Sequence, residues 1–282
     1  MHYNEKLSGA VSQSGSILCL GLDPVPQTLP PEISAHASSQ VAAVEAFCQK
    51  VIQLTSPYVA AYKLNTAYFE ALGPAGFELL SSIRENIPEH IVTIADAKRG
   101  DVPHTGRKYK EAFFDRLGFD AITLSPLMGS DTLLPFLEDY RKACYILTLT
   151  SNSGASDFFM QRLQNGNTLS EDIAGRLNRL SGDVQGQPGM VVGATQTSEA
   201  DNLCGIFPES HVLMPGIGAQ KGSREDVIKL IERHRLKALV PVSRGIIEAH
   251  KNSEDSWTEA IVSATRTYNQ DFRKPAKWHE QT

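Results

Sequence analysis

Asp96, Lys98 and Asp101 stand within six residues of one another, in the stretch T-I-A-D-A-K-R-G-D-V-P-H-T over Thr93–Thr105. An ammonium held between carboxylates stays protonated and fixed in place. A charge fixed in this way can act on a ligand by electrostatics or by proton transfer. The stretch opens as an apolar run, Ile91–Ala95, bounded by Pro88, which is the pattern of a buried strand. Alternation along that strand places Asp96 and Lys98 on one face, and Gly100 then ends it. Buried charges are tolerated only when they pair. A D-x-K pair can equally be a surface ion pair where a strand meets a loop, so the rest of the chain has to decide.

The elements that must position these groups recur along the chain. Strand-length apolar runs lie at Ser16–Leu22, Tyr58–Leu64, Ile91–Ala95, Ala121–Leu124, Cys144–Leu149, Met190–Ala194, His211–Met214 and Ala238–Val242. Helical periodicity separates several of them, with Val41, Val44, Phe47, Val51 and Leu54 in Ser39–Ser56 as one example. A second helix carries Tyr68 to Ile83 with a break near Gly73-Pro74, and a third runs through Tyr109, Phe113 and Leu117. Another lies near Ser170–Leu180, within a polar insertion at about 152–188, and a last one spans about Ser256–Phe272. Eight strand–helix alternations in 282 residues predict one α/β domain, a single (β/α)₈ TIM barrel, a fold of typically ~250 residues. A doubly wound open sheet would also alternate, but no G-x-G-x-x-G follows the first strand.

Composition narrows the function classes. With 27 basic and 32 acidic residues the net charge is −5, without long runs of one sign, which argues against a nucleic-acid partner. No apolar run approaches the ~18 residues of a membrane span, and Met1–Leu7 is too polar for a secretory signal. Cys19, Cys48, Cys144 and Cys204 show no C-x-x-C spacing, and the eight histidines show no H-x-x-x-H pair. The expectation is a cytoplasmic protein with Cys19 and Cys144 in the core and no obvious metal site.

In a barrel of this kind, catalytic groups sit at the C-terminal ends of the strands. The polar residues at those ends are Asp23, Lys63, Asp96, Lys98, Ser151, Gln220 and Arg244, with Asp101 just beyond the third strand. Singly, Asp23 could form a turn, Lys63 could snorkel outward and Ser151 could cap a helix. Their joint placement at one face is harder to explain that way. Pro215-Gly216-Ile217-Gly218-Ala219-Gln220 and Ser243-Arg244-Gly245 follow strands seven and eight, where such barrels commonly bind phosphate through backbone amides and a cation.

Together, G-L-D-P at Gly21–Pro24, Y-K-L-N at Tyr62–Asn65, D-A-K-R-G-D at Asp96–Asp101, P-G-I-G-A-Q and S-R-G resemble the orotidine 5′-phosphate decarboxylase family over nearly the whole barrel. Arg99-Gly100 and the insertion are similar to its longer-chain branch. The resemblance implies cofactor-free decarboxylation of orotidine 5′-phosphate to uridine 5′-phosphate, the last step of de novo pyrimidine synthesis. It implies Lys98 as the cation and proton donor, flanked by Asp96 and Asp101. Lys63 and Asp23 would hold the ribose, Ser151 the base, and Gln220 and Arg244, beside Pro215, the phosphate. It further implies a homodimer in which Asp101 and Thr105 enter the neighbouring subunit's site. Two rival readings are a Mg²⁺-dependent sugar-phosphate decarboxylase of the same superfamily and a catalytically silent phosphate-binding barrel. Lys63, where a metal would want a carboxylate, speaks against the first. The intact charge set speaks against the second.

Overall fold

The computed structural model describes residues 1–217 and 223–274. Eight parallel strands close into a barrel in sequence order: β1 (Leu18–Leu22), β2 (Ala61–Asn65), β3 (Val92–Arg99), β4 (Ala121–Leu124), β5 (Ala143–Leu149), β6 (Gln187–Val192), β7 (His211–Leu213) and β8 (Lys237–Val242). The seam between first and last strands pairs Leu18 with Val240 and Leu20 with Val242. β1 and β4 are buried at every position, because they face side chains on the inside and helices on the outside, so their sequence runs apolar without alternation.

Every apolar run forms a strand, with edges that move for local reasons. β2 starts at Ala61 rather than Tyr58, because Pro57 closes a 3₁₀ turn over Ser56–Tyr58. β6 begins earlier, at Gln187, and takes in Pro188 and Gly189. Ser39 and Ser256 cap the helices Gln40–Thr55 and Trp257–Asp271, accepting from Ala42 N–H and Glu259 N–H. The break at Gly73-Pro74 divides Thr66–Glu70 from Pro74–Asn86. The helix after β3 covers Pro103–Lys110 and widens into a π-helical turn over Glu111–Arg116. Within the 152–188 insertion, the helix Leu169–Ser181 buries Ile173, Ala174 and Leu177; it starts on a capping box between Thr168 and Glu171. This helix serves as the crossover from β5 to β6.

One helix lies outside the expected strand–helix alternation, ahead of β1. Tyr3–Ser14 forms a helix whose Tyr3, Leu7, Ala10 and Val11 are buried. Its charged exposed positions hide an i, i+4, i+7, i+8 stripe. It closes the floor of the barrel: Tyr3 and Tyr145 share a hydroxyl–hydroxyl hydrogen bond of 3.0 Å, and Lys6 Nζ lies 2.8 Å from Asp120. The segment leading into β1 meets the end of the helix Trp257–Asp271 here too, since Ile17 N–H donates to the Phe272 carbonyl at 3.0 Å. Among the described residues no helix is long and apolar enough to cross a membrane. All four cysteines are free and buried.

Candidate active site

β1, β2 and β3 run in register, Gly21 beside Lys63 and Asn65 beside Asp96. They therefore deliver their terminal side chains to one corner of the barrel mouth. Asp96 is the hub. Its Oδ2 accepts from Lys63 Nζ at 2.5 Å and its Oδ1 from Lys98 Nζ at 2.5 Å. Lys63 does not snorkel: its side chain is 10% exposed and that of Asp96 9%, whereas Lys98, at 47%, reaches into the open mouth.

These contacts keep the groups ionised against the pull of burial. Burial works against the charged form of Asp96, but Lys63 and then Lys98 outweigh it and hold the carboxyl well below the usual carboxylate range. Burial likewise opposes the Lys63 ammonium. Asp96 and then Asp23 reverse that and hold it above the ordinary lysine value. Both oxygens of Asp96 are occupied by ammonium groups, so a divalent cation bound there would have to displace two of them.

The remaining predicted residues are distributed around the same rim. Asp23 follows β1 with its Oδ1 buried and without a hydrogen-bond partner among the described residues, so this carboxylate does not stabilise a turn. Ser243 Oγ, across the β1–β8 seam, is buried and unpartnered as well. The two lie close because Gly21 lets the strands approach: a Cβ there would sit 2.8 Å from Ser243 Cβ. Ser151 follows β5 and leaves capping of the next 3₁₀ turn to the Asn152 position. The tip of β6 presses on it, since a Cβ on Gly193 would meet Ser151 Cα at 2.8 Å. Pro215 is tied in by its carbonyl, which accepts from Ala194 N–H at 2.8 Å. Arg244 is exposed at the start of the short helix Arg244–Ile247, and it pairs with no carboxylate among the described residues. Gln220 lies outside the described residues.

Asp101 does not join the cluster within one chain. Among the described residues it pairs with neither Lys63 nor Lys98, and its carboxylate accepts from Val102 N–H at 2.8 Å. Thr105 sits half-buried one turn on, in the helix Pro103–Lys110. The structure thus brings together three of the four expected charges.

A family profile described as Orotidine 5′-phosphate decarboxylase / HUMPS family matches residues 16–259. The chain belongs to that family. It is 40% identical to an orotidine 5′-phosphate decarboxylase of Dehalococcoides mccartyi over 261 residues, covering 90% of this chain and 92% of that one. Identity to the enzyme of that name from Herpetosiphon aurantiacus is also 40%, over 270 residues, with 94% and 96% covered. Among solved structures, Leishmania donovani OMP decarboxylase superposes with a TM-score of 0.80 at 31% identity, covering 96% of this chain and 98% of that chain.

Two further residues brace this cluster: Thr123, outside every motif noted in the sequence, and Arg99, inside D-A-K-R-G-D but without an expected role. Thr123, the third residue of β4, has its hydroxyl on Asp96 Oδ1 at 3.1 Å. A lone hydroxyl in an otherwise apolar strand was the available cue. Arg99 fastens the end of β3 by pairing with Glu70 at 2.5 Å and lying over the rings of Tyr109 and Phe113, 5.3 and 5.5 Å from their centroids.

Proposed function

We propose that this protein converts orotidine 5′-phosphate to uridine 5′-phosphate and CO₂ with Lys98 as its reactive cation and without a cofactor. The observation that carries the reading is the Lys63–Asp96–Lys98 relay at the barrel mouth, in which the half-exposed ammonium is the one free to meet a ligand. Loss of CO₂ leaves a carbanion at C6 whose electron pair lies in the plane of the ring and cannot delocalise. A fixed cation is then the available stabiliser, and because it is already oriented it needs no reorganisation as charge develops. Lys98 supplies that charge and afterwards the proton that replaces CO₂. Asp96 holds the ammonium in place; lying against the substrate carboxylate, it can also raise the ground state.

Lys63 and Asp23 bind the ribose hydroxyls, for which the unpartnered Asp23 Oδ1 is a suitable acceptor. Ser151 contacts the pyrimidine edge. Arg244, free of any carboxylate among the described residues, takes the phosphate with Gln220 beside Pro215. Binding the phosphate far from C6 lets remote interactions contribute to the transition state. Asp101 and Thr105 act across a homodimer, each completing the partner's site. One catalytic domain, working in the cytoplasm, accounts for the chain.

The reading is tested by following the ultraviolet absorbance of orotidine 5′-phosphate with the purified protein in EDTA. The expected result is substrate loss with stoichiometric uridine 5′-phosphate, unaffected by the chelator. Turnover that disappears in EDTA and returns with Mg²⁺ would assign the chain to metal-dependent chemistry instead. Absence of turnover with retained nucleotide binding would leave a silent phosphate-binding barrel.

A further inference from the structure

We infer that Thr123 is a positioning residue for the decarboxylation, holding Lys98 at both its main chain and, through Asp96, its side chain. The inference rests on the reading of Lys98 as the reactive cation. Ala95 pairs with Ile122 and Arg99 with Leu124, and the ladder is irregular between these points. Asp96, Ala97 and Lys98 therefore stand opposite one β4 residue, Thr123. A bulge of this kind leaves backbone groups without ladder partners and re-aims a side chain. Lys98 bears the strain, with a φ of +47° in the left-handed region that a lysine rarely adopts.

The Thr123 hydroxyl answers both consequences. Its Oγ1 accepts from Lys98 N–H at 2.9 Å, replacing the missing backbone partner. The same hydroxyl donates to Asp96 Oδ1 at 3.1 Å, the oxygen that also takes Lys98 Nζ. A closed ring results: lysine main chain to hydroxyl, hydroxyl to carboxylate, carboxylate to lysine side chain. Thr123 is 1% exposed, so water does not compete for either bond. With Lys63 on Oδ2, the carboxylate has three donors and one orientation. Regular strand alternation would not aim Lys98 this way; the strained turn does, and the hydroxyl keeps it from relaxing.

The test separates the hydroxyl from the volume it occupies. Thr123→Val keeps the shape and loses both bonds, while Thr123→Ser keeps the bonds and loses a methyl group. Misplacing a reacting group by about 1 Å costs on the order of 100-fold in rate. Thr123→Val is therefore expected to lower kcat by about 10- to 100-fold, with KM and the affinity for uridine 5′-phosphate changed less than about threefold. Thr123→Ser is expected to recover kcat to within about threefold of wild type even though it melts lower than the valine variant. A packing role would reverse that order. Should the valine variant not fold, Thr123→Ala against Thr123→Ser makes the same comparison, since both lack the methyl. Lys98→Ala is measured in parallel. If it turns over like wild type, the assignment of Lys98 itself fails. If it is inactive while Thr123→Val retains wild-type kcat, or while serine loses as much as valine, the inference about Thr123 is overturned and the lysine assignment stands.

Discussion

At the mouth of the barrel Lys63 and Asp96 are buried as ions, whereas at its floor Tyr3, Tyr145 and His211 are buried neutral. Desolvation acts on both groups and disfavours charge in each. The difference is in the neighbours. The mouth sets opposite charges 2.5 Å apart, and they hold one another ionised. Among the described residues the floor offers His211 an edge-on Tyr3 ring and no hydrogen bond, with Lys237 and His2 as the nearby titrating groups, and burial followed by those two lowers the imidazole to about 3. Burial first, and then Tyr145, likewise push the Tyr3 hydroxyl well above the ordinary tyrosine value. Charge is retained where it can act on a ligand, and suppressed where the helix Tyr3–Ser14 only has to seal the barrel.

Substitutions at the two ends should therefore separate activity from stability. Lys98→Ala is expected to lower kcat by about 10³-fold or more. Its stability should stay within about 1 kcal/mol of wild type, because the side chain is half-exposed and Asp96 keeps Lys63. A urea midpoint that collapses in this variant would show that the mouth cluster is also a folding element. Lys63→Ala should cost both activity and about 3 kcal/mol of stability, at the low end for a broken buried pair because Lys98 still compensates Asp96. Urea titration of the two lysine variants side by side reads this contrast.

The floor predicts a pH response that the mouth does not share. His211 is neutral in the folded protein down to about pH 3, whereas the unfolded chain takes up its proton near 6.5. Protons bind preferentially to the unfolded state between those values. Stability is therefore complete above pH 6.5 and falls on acidification by up to about 1.4 kcal/mol per pH unit. His211→Leu should flatten that slope between pH 6.5 and 4; an unchanged slope would assign acid sensitivity elsewhere. Asp96, with its lowered value, loses its contribution only when pH drops below the usual carboxylate range. Lys63, with its raised value, loses its own only as pH climbs above the ordinary lysine range. The smallest expected effect is that of Tyr3→Phe, which removes one buried hydroxyl pair and should cost about 1 kcal/mol with kcat unchanged.

Legibility in the sequence followed the range of the forces involved. The strands were readable because each apolar run is buried on both sides, and the helix starts at Gln40 and Trp257 because Ser39 and Ser256 cap locally. The helix Tyr3–Ser14 is not legible in the sequence because its apolar stripe is short and interleaved with charged and polar residues, and its partners Tyr145, Asp120 and His211 lie more than 100 residues away. Asp96 and Lys98 do meet, as their spacing suggested, but through a left-handed lysine in a bulge and not through plain alternation.

By itself the sequence determined the alternation of eight strands with helices, the rim position of Asp23, Lys63, Asp96, Lys98, Ser151 and Arg244, and the family, since periodicity and motif spacing are properties of the chain. Only the tertiary structure decided which charges touch, that Asp101 stays apart from Lys98 within one chain, that Thr123 braces the lysine, and that His211 is buried without a hydrogen-bond partner among the described residues. Each of those outcomes depends on the register between neighbouring strands or on what closes over a side chain, and distances of this kind are set by packing across the barrel, not by position along the sequence.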